Sequence, residues 1–466
     1  MNRKIWILVN LFVLAALVLA ACGGSATPAP QEQPTAQPAQ QEQPTAQPAQ
    51  QEQPTAQPAE EITIRWRTRP DNQEEINVYS NISQELDAQL EGITLTYEPG
   101  GTEGANYQDQ LRTEVAAGTA PDVFWIPGTD VADFATRGLI LNVAELAAKT
   151  EGFDVNAFYP GPMYHLTYNP EKGASGADSG ALWGLPRDVS TFALYLNLDL
   201  INEAGAPDPR ELAKQGKWDW EAFLDVAQKT RALGPDIYGY GASAWWGPYG
   251  VWLNAAGGGF FNEDRTACAL NTPESLAGLE FQRALYQEYD VATPYGEDPE
   301  PPFRAGKVAM FQNGRWATPG VRTVEFEWDV VELPKGPKGT QGNWLFWGAY
   351  VINAKTQHPE EAWKLVQALT TAETQGKVAA LGANIPSRVS QEAFDAFLTF
   401  TPPANNQAFL NGLADNPATE GPLWAGSWPE YDKIMGPAIQ AVLTGGKTVE
   451  EFGATICDEA NKVFNK

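Results

Sequence analysis

Tryptophan is the residue type in this sequence that most directly suggests chemistry, with 16 copies among 466 residues. A flat indole excludes water from an apolar ligand face, while nearby carboxylate, amide or guanidinium groups hydrogen-bond hydroxyls. A sugar ring, with one face of C–H bonds and a rim of hydroxyls, fits such a site. For any single tryptophan, packing inside the core is the alternative. Arg69 follows a predicted first strand, where open α/β sheets place ligand contacts, with an ordinary surface charge as the alternative.

Other chemistries have little support in the sequence. The only two histidines are His165 and His358, and no His-Xaa-Xaa-Glu-His or Cys-Xaa-Xaa-Cys spacing occurs. Neither a phosphate loop nor a dinucleotide fingerprint is present, so we expect no metal and no cofactor. A glycosidase that uses two carboxylates in an aromatic cleft stays open as the rival enzyme class, since acidic residues number 58 with aspartate and glutamate combined.

The N-terminus has the pattern of an exported lipoprotein. Arg3 and Lys4 precede an apolar run that ends in Leu-Ala-Ala-Cys-Gly at 19–23, which matches the bacterial lipobox. We predict a signal peptide at 1–21, lipidation of Cys22, and a location on the extracytoplasmic face of the cell membrane, with a retained anchor helix as the alternative. A proline- and glutamine-rich decamer repeats through 31–60, which predicts an extended tether over 22–61.

The net charge limits the possible binding partners, and the number of cysteines bears on disulfide pairing. The formal net charge of −27 argues against nucleic acid or an anionic membrane surface as a partner, so the lipid is the expected membrane contact. Once Cys22 is lipidated, Cys268 and Cys457 remain, an even number in an oxidising compartment. We predict a disulfide between them, with two buried free thiols as the alternative.

Alternating strand and helix patterns predict an α/β fold of two lobes or one very large domain. Strands are predicted at 62–66, 93–97 and 122–126, with a helix at 107–117 after the second. Later helices begin at Thr272-Pro273 and His358-Pro359. The box Thr448-Val449-Glu450-Glu451 predicts the start of one last helix that carries Phe452, Ile456, Ala460 and Val463 on its apolar face.

Four segments in this order resemble the extracellular solute-binding proteins of carbohydrate ABC importers, the maltose-binding-protein-like family. They are Ala-Ala-Gly-Thr-Ala-Pro-Asp-Val-Phe-Trp at 116–125, Gly-Leu-Pro-Arg-Asp at 184–188, Gly-Lys-Val-Ala-Met-Phe-Gln-Asn-Gly-Arg-Trp at 306–316 and Gly-Ala-Tyr-Val-Ile-Asn at 348–353. The resemblance implies a two-lobed periplasmic-binding-protein fold with an interlobe hinge and a ligand cleft. It places lobe one at 62–189 plus 348–400 and lobe two at 190–347 plus 401–466. It further implies a monomer that binds a sugar and meets the permease subunits of an ABC importer.

The resemblance also assigns candidate ligand-binding residues. Trp125 and Trp316 match tryptophans that line the family's sugar cleft. Asp188 lies at the first interlobe crossing, and Asp130 follows Trp125 where the family has an acidic residue. Further aromatic candidates near the cleft or the hinge are Trp245, Trp246, Tyr249, Trp344 and Trp347. A third possibility is a binder of another polar solute on the same fold, which a cleft dominated by arginine and asparagine would favour.

Overall fold

The computed structural model describes residues 62–464 apart from 71–72, 102–103, 383, 415–417, 420 and 422. The predicted signal peptide, Cys22 and the tether lie outside these residues. The strands are β1 Ile62–Thr68, β2 Ile93–Pro99, β3 Val123–Pro127, β4 Leu185–Ser190, β5 Phe192–Asn197, β6 Tyr238–Ala242, β7 Val308–Gly314, β8 Trp328–Val331, β9 Trp344–Ile352, β10 Ile385–Pro386 and β11 Ala418–Thr419.

The helices alternate with these strands along the chain. They are α1 Gln73–Gln89, α2 Gly104–Ala117, α3 Val131–Thr136, α4 Ala144–Lys149, α5 Pro160–Leu166, α6 Leu198–Glu203, α7 Pro209–Lys214, α8 Trp220–Arg231, α9 Trp246–Ala255, α10 Pro273–Gln287, α11 Glu300–Arg304, α12 Thr318–Val321, α13 Pro359–Leu369, α14 Ala372–Ala379, α15 Gln391–Thr399, α16 Gln407–Ala414, α17 Trp428–Leu443, α18 Val449–Gly453 and α19 Ile456–Ala460. Short 3₁₀ turns occur at Gly128–Asp130, Val155–Ala157, Arg315–Ala317 and Asn461–Val463. Within the described ranges, no helix combines the length and the apolar character needed to cross a bilayer.

The strands form two separate sheets. The first has the order β10-β4-β9-β3-β1-β2, with β11 paired to β9, and combines parallel β1–β2 and β1–β3 pairs with antiparallel β3–β9 and β4–β9 pairs. The second has the order β6-β7-β5-β8, with β6 parallel to β7 and β5 antiparallel to both β7 and β8. This mixture of helices and two sheets agrees with the predicted α/β class.

Strand β9 contributes side chains to both apolar cores. Trp344 and Phe346 pack in one core with helices α9 and α17, whereas Leu345 and Trp347 pack in the other with α13 and β3. Successive side chains of a strand point to opposite faces, so the alternation follows from the pleat. All nine residues of the strand are buried, and its sequence is apolar on both faces except at Gly348.

The chain passes from the first sheet to the second between β4 and β5 and returns between β8 and β9. These two crossings are joined by Asn343, whose Oδ1 accepts from the Phe192 N–H at 3.0 Å and whose Nδ2 donates to the Phe192 carbonyl at 2.8 Å. Asn343 is buried, and its amide satisfies both backbone groups of Phe192. The two crossing segments are therefore tied at one point.

The strand positions differ in detail from the predicted lobe boundaries. β9 begins at Trp344 and pairs with β4 from Phe346 onward, so the return to the first sheet precedes the predicted boundary at 347/348. β11 pairs with β9 in the first sheet, although 401–466 was predicted to belong to lobe two. The predicted boundaries stay a prediction, since a crossing strand contacts both cores.

Helix caps explain where several helices begin. Thr272 caps α10 by accepting from the Ser275 N–H, and Thr448 and Glu451 form the predicted capping box at α18. The single last helix expected from the sequence is wrong, because α18 ends at Gly453 and α19 begins at Ile456. Glycine is a poor helix former, and the Thr455 N–H donates to the Phe452 carbonyl at 3.1 Å, three residues back rather than the four of an α-helix.

Candidate functional site

Five aromatic side chains pack together where β5, α9, β7 and β9 meet. We call them the aromatic platform: Phe192, Trp245, Trp246, Trp316 and Phe346. The Phe346 ring lies 4.6 Å from Phe192, 5.5 Å from Trp316, 5.6 Å from Trp245 and 5.5 Å from Trp246, centroid to centroid. The three tryptophans of the platform are only half-buried. The platform therefore keeps part of its indole surface available to a ligand.

Two glycines allow the platform tryptophans to fold back on the chain. A Cβ at Gly314, the last residue of β7, would overlap the Trp316 ring, and one at Gly247, in the first turn of α9, would overlap the Trp245 ring. Each tryptophan is thus packed against a backbone position without a side chain, which fixes its ring orientation. The predicted residues Trp245, Trp246 and Trp316 are brought together by the structure.

A second group of predicted residues surrounds Trp125 in the middle of β3. The guanidinium carbon of Arg69 lies 5.3 Å from the Trp125 ring centroid, and that of Arg187 lies 4.9 Å away. The Trp125 indole N–H is buried and has no hydrogen-bond partner among the described residues. Such cation–π contacts contribute about 0.5–2 kcal/mol each, depending on desolvation.

Arg187 connects this second group. Its Nε donates to Asp188 Oδ2 at 2.7 Å, and its Nη1 donates to Thr68 Oγ1 at 2.8 Å and to the Arg69 carbonyl at 3.3 Å. Although burial opposes ionisation, the Asp188 carboxylate and neighbouring groups hold the pKa of Arg187 well above its usual value. Asp188 is itself buried. The carboxylate predicted to bind hydroxyls is therefore held in place by a fully charged partner.

The platform and the Trp125 group lie next to each other on β9. Gly348 pairs with Asp188 of β4, and a Cβ at Gly348 would overlap the Trp125 ring. Phe346 lies two residues earlier, so it shares the same face of the strand at a separation of about 7 Å. Aromatic faces from the second sheet and charged groups from the first therefore converge on one strand.

Three predicted residues are engaged elsewhere. Asp130 is buried and accepts from Arg112 Nη2 at 2.6 Å, while burial raises its pKa to about 6. Tyr249 is buried, and its hydroxyl is hydrogen-bonded to that of Tyr295. Trp347 is buried, and its ring stacks on His165 with centroids 6.3 Å apart. Their predicted ligand contacts remain predictions.

Trp344 extends the aromatic surface of the platform away from Trp316. Its indole Nε1 donates to the Gly247 carbonyl at 3.0 Å, and its ring lies 5.4 Å from both Trp246 and Phe260. The ring planes of Trp344 and Trp246 meet edge-to-face at 84°, whereas those of Trp344 and Phe260 are tilted by 33°. Trp344 is buried, and its predicted ligand contact remains a prediction.

Sequence reasoning missed Phe192, Phe346 and Arg187. Arg187 stood in the segment Gly-Leu-Pro-Arg-Asp that carried the resemblance, but a buried guanidinium has no local sequence signal. The phenylalanines looked like ordinary strand residues. Among the described residues, no group of three or more histidine, cysteine, aspartate or glutamate side chains is placed to hold a metal ion.

Comparisons with known proteins agree with this architecture. A putative binding protein of Brucella abortus is 24% identical over 379 residues, covering 79% of this chain and 85% of that protein. The maltooligosaccharide ABC transporter solute-binding lipoprotein of Streptococcus pneumoniae is 24% identical over 296 residues, covering 61% of this chain and 63% of that protein.

Solved structures confirm the predicted two-lobed α/β fold. The ABC substrate-binding protein from Listeria monocytogenes in complex with cycloalternan has a TM-score of 0.76 at 20% identity, covering 86% of this chain and 98% of that one. The family model of the bacterial extracellular solute-binding proteins matches residues 81–400, well over half of the chain. This chain therefore belongs to the bacterial extracellular solute-binding proteins.

Proposed function

We propose that the folded part binds a sugar or oligosaccharide outside the cytoplasmic membrane and delivers it to the permease subunits of an ABC importer. One observation carries the proposal: β9 places the aromatic platform beside Trp125 and its two guanidinium groups. This combination provides flat apolar surfaces for the C–H face of a pyranose and charged groups for its hydroxyls.

Each predicted residue then has a distinct role. Trp316 and Trp245 supply faces on which a sugar ring stacks, because both are half-buried and fixed by a glycine. Asp188 accepts hydrogen bonds from hydroxyls, and Arg69 donates to ring or hydroxyl oxygens. Closure of the lobes would bury these contacts and exclude water, which strengthens each of them.

The hinge is proposed to lie at the crossing segments that Asn343 ties together. A hydrogen-bonded pair at the crossing keeps the two segments in register while the torsions on either side change. The ligand would contact both lobes only in the closed state. Binding therefore favours closure by the difference in affinity between the two states.

Names of relatives support the transport role and the location. The relative in Streptococcus pneumoniae is a maltooligosaccharide ABC transporter lipoprotein, and the structure from Listeria monocytogenes holds cycloalternan. We propose that Cys22 carries the lipid anchor, that the tether at 22–61 holds the lobes outside the membrane, and that the protein acts as a monomer.

Binding without turnover is favoured over the glycosidase alternative. A glycosidase positions two carboxyl groups about 5–5.5 Å or 6.5–9.5 Å apart across the scissile bond. The carboxylates predicted near this cleft are each ion-paired, Asp188 with Arg187 and Asp130 with Arg112. Both carboxylates are therefore engaged by arginines within the fold.

The test is a thermal-shift screen with neutral sugars, amino acids and glycerophosphodiesters, followed by calorimetric titration of the best ligand. A ligand that binds only the native state raises the apparent stability by RT ln(1 + [L]/Kd). We expect a neutral sugar to bind and to be recovered unhydrolysed. Trp316→Ala should weaken its affinity about thirtyfold, as expected for the loss of about 2 kcal/mol of aromatic contact.

The matched control is Trp220→Ala. Trp220 is also half-buried and lies in the lobe of the second sheet, but it stacks on Phe281 with centroids 4.1 Å apart. This variant should lose stability in urea without a change in sugar affinity. If a non-sugar solute binds instead, or if Trp316→Ala leaves the affinity unchanged in a folded protein, the proposed site is refuted.

A further inference from the structure

The ion pair of Arg187 and Asp188 is formed by two consecutive residues of β4. Arg187 Nε donates to Asp188 Oδ2 at 2.7 Å. Successive side chains of a regular strand point to opposite faces of the sheet, so a regular β4 would hold these two side chains apart. The pair therefore requires a local departure from regular strand geometry.

A β-bulge at Arg187 supplies this departure. Pro186 pairs with Ala349 of β9, and Asp188 pairs with Gly348. Arg187 is therefore an extra residue, with no residue opposite it in β9. A bulge interrupts the ladder of backbone hydrogen bonds and re-aims side chains, and bulges are common next to functional sites. The bulge thus allows the Arg187 guanidinium to reach the carboxylate of the next residue.

The strand on the other side of β4 offers few backbone donors to the bulge. This strand, β10, consists of Ile385 and Pro386 alone, and Pro386 lies opposite Asp188. Proline has no backbone N–H, so Pro386 donates no hydrogen bond to β4. Because a buried carbonyl without a partner destabilises the fold, the carbonyls of the bulge need a donor from another element.

Gln375, on the buried face of α14, provides that donor. Its Nε2 donates to the Arg187 carbonyl at 3.0 Å and to Ser387 Oγ at 2.7 Å, and the Ser387 hydroxyl donates to the Pro186 carbonyl at 2.5 Å. Its Oε1 accepts from the Arg388 N–H at 2.8 Å, which fixes the orientation of the amide because a backbone N–H can only donate. Gln375 and Ser387 are both buried. One glutamine thus holds two carbonyls of β4, one directly and one through a serine.

Packing on the α14 side of the bulge is incomplete. A cavity of about 10 Å³ lies there, and Tyr79, Asp188, Gln375 and Asn384 are among the residues that line it. Side chains that border a void lose dispersion contacts on that side. The hydrogen bonds of Gln375 therefore matter more for the position of the bulge than close packing does.

From these contacts we infer that Gln375 is a positioning residue for the ligand site. Its amide holds the bulge, and the bulge brings the Arg187 guanidinium and the Asp188 carboxylate together where a sugar hydroxyl would bind. Gln375 therefore acts on the ligand through these two side chains. The inference rests on the proposed function, which assigns ligand contacts to Asp188.

Gln375→Met tests the inference, because methionine keeps an unbranched side chain and removes both the donor and the acceptor of the amide. The matched control is Thr374→Val. Thr374 precedes Gln375 in α14 and lines the same cavity, but its hydroxyl donates to the Ala368 carbonyl at 2.8 Å. Thr374→Val therefore destabilises the same lobe without removing a hydrogen bond to β4. Urea unfolding of both variants verifies folding and gives the loss of stability in each.

The first measurement needs no ligand. The Arg187 Nε–H is buried and hydrogen-bonded, so it should give a slowly exchanging signal in ¹H–¹⁵N NMR spectra of the full chain, assigned through its own side-chain correlations. We expect Gln375→Met to shift this signal and to speed its exchange with solvent by about tenfold or more. Thr374→Val should leave the signal unchanged, because lower stability alone does not move the guanidinium.

The second measurement is calorimetric titration of the full chain with linear gluco- and galacto-oligosaccharides of one to four rings. We expect Gln375→Met to weaken the tightest of these interactions about tenfold or more, because the carboxylate that accepts from the sugar is no longer oriented. Thr374→Val should leave the affinity within about twofold of the parent value. Trp316→Ala reports on the aromatic platform in the same titrations.

The outcomes separate this inference from the proposed function. If Trp316→Ala weakens binding and Gln375→Met changes neither the Arg187 signal nor the affinity, the inference is overturned and the proposed function stands. A change in only one of these two readouts also overturns it, since Gln375 would then not act through Arg187 and Asp188. Equal effects of Thr374→Val would reduce Gln375 to a residue that only stabilises the lobe. If the parent binds no sugar, the proposed function fails, and the role of Gln375 at a ligand site fails with it.

Discussion

Replacement of Arg315 tests how the protein holds a buried charge. Arg315 has no solvent exposure, and none of its side-chain nitrogens has a hydrogen-bond partner among the residues that the structure describes. Its guanidinium carbon lies 4.8 Å from the Phe397 ring centroid, 5.4 Å from Phe400 and 5.1 Å from Phe409. The charge is therefore surrounded by three aromatic faces instead of an acid.

Two opposing free-energy contributions determine how replacement of Arg315 changes the stability of the fold. Burial lowers the pKa of Arg315 from 12.5 to about 10, which corresponds to a cost of about 3 kcal/mol for keeping the group charged in the folded state. Three cation–π contacts of about 1 kcal/mol each offset most of this cost. Arg315→Met removes both terms and keeps an unbranched apolar chain, so its unfolding free energy should lie within about 1 kcal/mol of the parent value.

Arg315→Lys should behave differently. An ammonium group is more strongly hydrated than a guanidinium and cannot stack on three rings, so we expect a loss of about 3 kcal/mol. Because the folded pKa is depressed, the cost of the charge is complete below about pH 10 and is relieved as the pH rises from there towards 12.5. Above pH 10, the unfolding free energy of the parent should therefore rise relative to that of Arg315→Met.

The assay is urea unfolding followed by tryptophan fluorescence. Arg322→Met is the matched control, since Arg322 also stacks on Phe400, at 4.3 Å, but is exposed, and it should change stability by less than about 1 kcal/mol. A loss of more than about 3 kcal/mol in Arg315→Met would refute the reasoning, because it would require a strong polar partner for the guanidinium.

Three further predictions concern the cysteines and pH. Thiol titration of unfolded, unreduced protein should find Cys268 and Cys457 unreactive, and two titratable thiols would contradict the pairing. Replacing both by serine should lower the unfolding free energy by about 5 kcal/mol, given their separation of 189 residues. Cys22→Ser should abolish the added acyl mass of the membrane form, and a parent protein without acyl chains would exclude the anchor. Burial raises the pKa of Asp432 from 3.8 to about 6, so its contribution to stability is complete below about pH 3.8 and is lost as the pH rises through 6. Asp432→Asn should be more stable than the parent at pH 8 by about 3 kcal/mol, and equal stability would show that this carboxylate is well solvated.

Local sequence signals predicted the local structure well. The starts of β1, β2, α10 and α13 follow from apolar periodicity, proline and capping residues, all of which act within a few positions. The sequence predicts a single helix across the break between α18 and α19, because its apolar face continues past Gly453 and Thr455. That face is still buried across the break at Phe452 and Ile456.

Candidate ligand residues could be predicted from the sequence only where they match motif positions of the family that the chain resembles. Trp316 and Trp245, both predicted ligand residues, lie against Phe346, which comes from a strand distant in sequence from either. The pairing of Asp188 with Arg187 and of Asp130 with Arg112 likewise depends on side-chain directions in the folded chain. No periodicity in the sequence distinguishes a carboxylate that faces a ligand from one that faces an arginine.

Strand β9 also determines how the protein unfolds. Its side chains alternate between the two cores, with Trp344 and Phe346 in one and Leu345 and Trp347 in the other. The strand cannot leave one core without exposing apolar surface in the other, so partial opening of a single lobe is costly. Amide hydrogens of β9 should therefore exchange only when the whole folded part unfolds, and the two lobes should melt in one transition. A fragment that ends before Trp344 would lack the strand of the first sheet whose side chains fill both cores. We therefore expect that neither lobe folds independently.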